Sequence, residues 1–272
     1  EAIDAYYLPG SDSGAHANFL EEIALGHTDL TLDELLGGMI VYGSDAIAVF
    51  LLAHLDRQTL PALYRRLGIS ATDTPFSVLG LYLVMSNHET GVNDPATLTP
   101  AAFWREHAGL AEKYVTEGAW RAEERAYRAR PHSGLPDYAR QAAFLAQFGM
   151  QGTAAELSTL MQAAYSGEMI DPAAQEIMRR YLDWPLAGRT PLDALFIHFG
   201  MKSGARPGVL TTTYYTVDHS GQAIALTVLL RHIPPDHWLE WLTSLDELKF
   251  ELEVIKTRCG ALEQSLARDN AT

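Results

Sequence analysis

Apolar residues return every three or four positions through HANFLEEIAL (16–25) and LDELLGGMIV (32–41), which predicts two helices with one oily face each. Thr31 followed by Glu34 is a capping-box pattern and marks the start of the second. Gly43, Ser44 and Asp45 then break the run. AIAVFLLAHL resumes as a nearly all-apolar helix, as expected of a segment buried on most sides. RQTLPALYRRLGI reads as a short amphipathic helix ending at Gly68, and Ser70 to Pro100 reads as loop-rich. AAFWREHAGLAEKYVTEGAWRAEERAYRAR (101–130) is a long charged helix or helix pair, stopped by PHSGLP, with the mixed charge of a solvated helical insertion. DYARQAAFLAQF and TAAELSTLMQAAYSGEMIDPAAQEIMRRYLDW supply three more helices. No internal repeat of fixed period is visible.

The texture changes after residue 195. VLTTTYYTVD (209–218) and QAIALTVLLR (222–231) are rich in β-branched and aromatic residues and flank HSG, which predicts an antiparallel hairpin. FIHFGMKSG (196–204) reads as a further strand leading into a turn. The remaining segment, from PPDHW onward, opens with Pro and an acidic first turn and continues as a long amphipathic helix, with Trp238 and Trp241 on its core side. A helical block, a small antiparallel sheet and a terminal helix predict an α+β architecture, divided into a mostly helical part (1–195) and a sheet-bearing part (196–272).

Composition narrows the chemistry. The 272 residues are 47% hydrophobic and 20% charged, enough for one substantial core or two modest ones. A formal net charge of −14, with no lysine or arginine run beyond short pairs such as Arg65-Arg66 and Arg179-Arg180, opposes a nucleic-acid partner. Cys259 is the single cysteine, so neither an internal disulfide nor a zinc framework is expected. The ten histidines are scattered without HExxH or a pair at four-residue spacing, so no metal site is expected either. SGARPG lacks the phosphate-loop pattern, and the tyrosine pairs 6–7 and 214–215 read as packing. No stretch approaches the roughly 18 apolar residues of a membrane helix. The opening EAIDAYYLPGSDSGAH is not a signal peptide and reads as a mature or trimmed start.

Two short motifs carry candidate chemistry, each beside a plainer reading. Ser44 and Asp45 are preferred helix N-caps for the segment that follows. Equally, a hydroxyl held near an ammonium such as Lys202 can relay a proton. Lys202-Ser203-Gly204 is either an ordinary strand end or a carboxylate-binding edge. In the second case the lysine attracts the anion, Ser203 donates to it, and Gly204 lets backbone approach.

The order of these features resembles the serine penicillin-recognising superfamily, that is, class A β-lactamases, DD-peptidases and their relatives. VYGSDAIAVFLL is similar in frame to the surroundings of that family's Ser-Asp-Asn loop, and LTLDELLGGMI resembles its approach helix. HFGMKSG matches its Lys-(Thr/Ser)-Gly strand, and GTAAELSTLMQAAYSGEMIDPAAQEIM the helix pair before it. The likeness covers most of residues 20–265.

It implies an extracytoplasmic (periplasmic or secreted) protein acting without a cofactor on a small-molecule or peptidoglycan-peptide-like substrate through an acyl-enzyme. On that reading Ser44 enters a cleft facing Lys202, braced by Asp45 through backbone hydrogen bonds. Glu89 and Asn93, at the Glu-x-x-x-Asn spacing of HETGVN, hold the hydrolytic water. Three departures accompany it. No Ser-x-x-Lys occurs in the 272 residues, which places the nucleophile and first strands on an upstream segment or nowhere; Ala46 stands where the family has asparagine; and residues 101–130 have no clear counterpart. The alternative is a catalytically inactive relative that binds or scaffolds.

Overall fold

The computed structural model describes residues 3–22, 29–130, 134–166, 171–183 and 194–244. Contacts divide the chain into two compact units, Glu1–Glu156 with Arg206–Val209, and Leu157–Ala205 with Leu210–Thr272. The change of texture at 195 is therefore not where the units part. Two helices that the sequence pattern assigns to the helical half group with the sheet instead.

In the first unit, α1 (Ala15–Glu22) and α2 (Leu32–Gly37) form as the periodicity predicts, and Thr31 and Glu34 make both bonds of the capping box. The apolar run does not end as α-helix. Gly38–Tyr42 forms a π-helical turn, closed by Gly43 in the left-handed region (φ 76°), where a residue without Cβ is at no disadvantage. α3 (Asp45–His54) follows, with only Ala46, Ile47 and Val49 fully buried, so it is less enclosed than its composition suggests. α4 (Thr59–Leu67) ends at Gly68 as expected.

The expectation of a loop-rich stretch from 70 to 100 is corrected by α5 (Val78–Met85), in which every residue from Leu79 to Met85 is buried. Eight residues without a polar face carry no amphipathic signal, so periodicity misses a helix wrapped on all sides. Such a short helix is marginal alone and is held by burial, which contributes about 1.5–3 kcal/mol for each large apolar side chain. After it come the short antiparallel strands β1 (Ser86–Asn87) and β2 (Gly91–Val92), pairing Ser86 with Val92 and Asn87 with Gly91.

Residues 101–130 are likewise not a solvated insertion. α6 (Pro100–Thr116) and α7 (Gly118–Arg128) bury Phe103, His107, Tyr114, Trp120 and Glu124, and these join Leu79–Met85 and α8 (Tyr138–Phe148) around the main core. Most of the charged residues that suggested a solvated pair occupy the opposite face, while the apolar stripe at three- and four-residue spacing packs inward, together with Glu124 and Arg128. Glu124, fully buried, accepts from Arg128 Nε (2.6 Å), His88 N (2.7 Å) and His88 Nδ1 (2.9 Å).

The second unit contains most of α9 (Ala154–Ser166), α10 (Pro172–Leu182) and a sheet ordered β3 (Phe196–Arg206), β4 (Val209–Asp218), β5 (Ala223–Arg231). The two tight connections make adjacent strands antiparallel, as the sequence predicts. At the second, Asp218 Oδ1 accepts from Ser220 N (2.8 Å) and Gln222 N (2.9 Å), an Asx-type turn. The terminal amphipathic helix expected after Pro235 begins at 238, and its part beyond 244 lies outside the described residues. Trp241 is 38% exposed, which among the described residues corrects its assignment to the core.

Two outcomes follow from this packing. A Cβ at Gly80 would lie 2.6 Å from the His107 carbonyl oxygen and 2.7 Å from its ring, so Gly80→Ala is expected to destabilise the protein by about 1–3 kcal/mol, read as a lower urea midpoint. Glu156 accepts from Ser70 N (2.8 Å), Ala71 N (2.9 Å) and Thr72 Oγ1 (2.6 Å), and these bonds hold its carboxyl at about 2. Because that value is depressed, the clamp is intact above pH 4.5 and is lost as pH falls toward 2. Glu156→Gln should speed amide exchange at Ser70 and Ala71 at neutral pH.

Candidate functional site

The break at residues 43–45 has a local explanation. Gly43 turns the chain out of the π-helical turn, Ser44 N donates to Gly38 O (3.0 Å), and the Ser44 side chain caps α3 by accepting from Ile47 N (3.4 Å). The same oxygen is 2.9 Å from His16 Nδ1. Ser44 and His16 are each 1% exposed. A serine bonded to an imidazole is the geometry of a nucleophile and its base, but no substrate reaches a pair buried this deeply. Asp12 does not complete a triad, because its Oδ2 accepts from the His16 backbone N–H (3.1 Å) and not from the ring. Tyr7 stacks on His16 at 4.8 Å, and burial holds the ring's pKa below its usual value. Asp12 Oδ1 and His16 Nε2 are buried without hydrogen-bond partners among the described residues. The placement of Ser44 in a cleft is thus corrected: its hydroxyl is an interior cap.

Asp45 is the first residue of α3, and its carboxylate accepts twice from Arg206 Nη2, at 2.9 Å (Oδ1) and 2.7 Å (Oδ2). This contact is charge-assisted. The Arg206 guanidinium also lies over the Tyr82 ring, 5.6 Å from its centroid.

Glu89 and Asn93 lie on the β1–β2 connection and just after it. Glu89 Oε1 accepts from Lys113 Nζ (2.8 Å), and that bond is the main cause of its lowered pKa. Asn93 does not face a water site with it. Its backbone N–H donates to Met85 O (3.0 Å) and its side-chain amide to Val84 O, so it satisfies carbonyls at the end of α5. The spacing that suggested a water-holding pair joins two side chains with separate partners, Glu89 on Lys113 and Asn93 on the end of α5.

Lys202, Ser203 and Gly204 lie in β3 as expected and are all exposed, following buried Phe199, Gly200 and Met201. Lys202 Nζ donates to Ser203 O (3.3 Å), and Thr211 Oγ1 donates to Gly204 O (3.3 Å). Among the described residues, no three His, Cys, Asp or Glu side chains group as metal ligands, and no helix is long and apolar enough to cross a membrane.

Among solved structures the chain is similar to class A β-lactamases. One from Mycobacterium abscessus aligns over 84% of this chain and 65% of its own, at 12% identity and a TM-score of 0.45. A β-lactamase from Burkholderia vietnamiensis gives the same coverage and identity with a TM-score of 0.44, and a class A representative from Bacteroides cellulosilyticus covers 87% and 75% at 12% identity and 0.45. The 272 residues thus span less than two-thirds of the length of the first two. No family model matches the sequence, and no curated protein does.

The polar cluster under α3 was missed in the sequence because Asp12 and His16 read as loop and helix surface; their four-residue spacing was its only trace. Ser44→Ala removes the cap and leaves His16 Nδ1 without its partner, so a loss of about 1–3 kcal/mol is expected in urea unfolding. His16 and His107 are both held neutral by burial, their pKa values lowered from 6.5. Their contribution is complete above pH 6.5 and is lost as pH falls through the depressed values, so stability should decline below pH 6.5. His107→Gln should flatten part of that decline.

Proposed function

We propose that this chain is a β-lactamase-like, extracytoplasmic protein that binds a carboxylate-bearing amide or β-lactam through Lys202, Ser203 and Gly204, with Ser44 as a structural residue. The observation that carries this reading is the exposure of that triplet on a strand whose preceding residues are buried. A lysine, a hydroxyl and a glycine in consecutive exposed positions supply charge, a hydrogen-bond donor and close backbone approach to a carboxylate. The burial of Ser44 against His16 supports binding over proton relay.

The second reading is a serine hydrolase or acyltransferase of β-lactamase or DD-peptidase type, forming an acyl-enzyme on a Ser-x-x-Lys outside these 272 residues. It is favoured by the same exposed lysine, which would serve either chemistry. There Glu89 would act on water only after leaving Lys113.

A fluorescent penicillin applied to the full natural protein separates the two. Saturable labelling that free penicillin competes away and denaturation removes is the expected result. A label surviving denaturation establishes the acyl-enzyme reading instead. Lys202→Ala should weaken binding at least about tenfold, the equivalent of one charge-assisted contact of about 1.4 kcal/mol. Absence of any binding, or binding indifferent to Lys202, overturns the role of the triplet.

A further inference from the structure

The second unit contains a cavity of about 490 Å³ whose lining includes Glu176, Arg179 and Arg180 of α10, Asp183 just beyond it, and His198 of β3. Its floor is a fixed network. Asp183 Oδ1 accepts from Tyr165 OH (2.6 Å) and from Phe199 N (3.1 Å), and Oδ2 lies 2.9 Å from His198 Nδ1. An ionised carboxylate only accepts, so Nδ1 carries the ring proton and Nε2 is left to the cavity side of the imidazole. Tyr165 packs edge-on against the ring, with centroids 6.0 Å apart, and stacks on Tyr215 at 4.3 Å. Nothing in the ligand reading of Lys202 uses these residues.

Residues alternate in direction along a strand, which places His198, Gly200 and Lys202 on one face of β3. The Tyr165 hydroxyl stands over Gly200, where a Cβ would collide with it. Tyr165 therefore lies between His198 and Lys202 on that face, and the cavity is distinct from the exposed triplet. The Tyr165 carbonyl is held in turn by Gln175 Nε2 and Arg179 Nη2, while Arg179 Nε is buried with no acceptor among the described residues.

We propose that this cavity binds a small oxyanion, a phosphate or carboxylate group, through the guanidiniums of Arg179 and Arg180, beside the His198 ring. Glu176 is the opposing charge of the rim, since the oxygens of Asp183 are committed to Tyr165, Phe199 and His198. The charged side chains of the lining are Glu176 and Asp183 against Arg179 and Arg180.

The test is an NMR titration of the His198 ring in the full chain, with inorganic phosphate in one arm and acetate in the other. A saturable shift below about 10 mM is expected, tenfold above a millimolar Kd. A response to phosphate alone identifies a phosphate site, and a response to acetate alone a carboxylate site. R180Q should weaken the response at least about threefold. No saturable shift with either anion, or a shift unchanged in R180Q, overturns the proposal.

Discussion

A helix enclosed on every side has no water at its ends, and the first unit is arranged around meeting that requirement for α5. Its residues from Leu79 to Met85 are all buried, so each terminal N–H and C=O must find a partner in the protein. At the start, Ser77 caps Gly80 N (3.4 Å) and the Ser77 carbonyl accepts from His107 Nε2 (2.8 Å). At the end, Asn87 Nδ2 donates to Leu83 O (2.9 Å), Asn93 to Val84 O and Met85 O, and Arg128 Nη2 to Ser86 O (2.7 Å). The Arg128 that reaches in is itself neutralised by buried Glu124. Asn87, Asn93, Glu124 and Arg128 thus share one task.

This explains which parts of the fold were legible in the sequence. Helices with one wet face announced themselves: α2 through its capping box, α4 through Gly68, and the β4–β5 hairpin through β-branched runs around HSG. α5 did not, because a uniformly apolar run has no period to detect. α6 and α7 misled for the opposite reason. Their charges are conspicuous in one dimension, whereas the inward stripe of Phe103, His107 and Tyr114 acquires meaning only when α5 lies beneath it.

Candidate chemistry divides in the same way. Lys202, Ser203 and Gly204 lie on a strand as the motif requires, since a strand's exposure is set locally. Ser44 does not enter a cleft, because its fate depends on His16, 28 residues away, a contact that no local pattern encodes. The Asp183–His198 pair, 15 residues apart and bridged by Tyr165, was silent for the same reason. Short-range rules identified side chains of the right chemical type; long-range packing decided what they face.

The π-helical turn at Gly38–Tyr42 gives that decision an unusual dependence on chain length. A wide turn of this kind contains one residue more than an α-helical path needs. The same residues wound as ordinary α-helix would swing the corner at Gly43 and Ser44 by about 100°, the rotation per residue of an α-helix, so the wide turn absorbs the extra residue. A hydroxyl now facing inward toward an imidazole would be aimed in a different direction altogether. In this region the count of residues, as much as their identity, sets whether a serine belongs to the interior or to the surface.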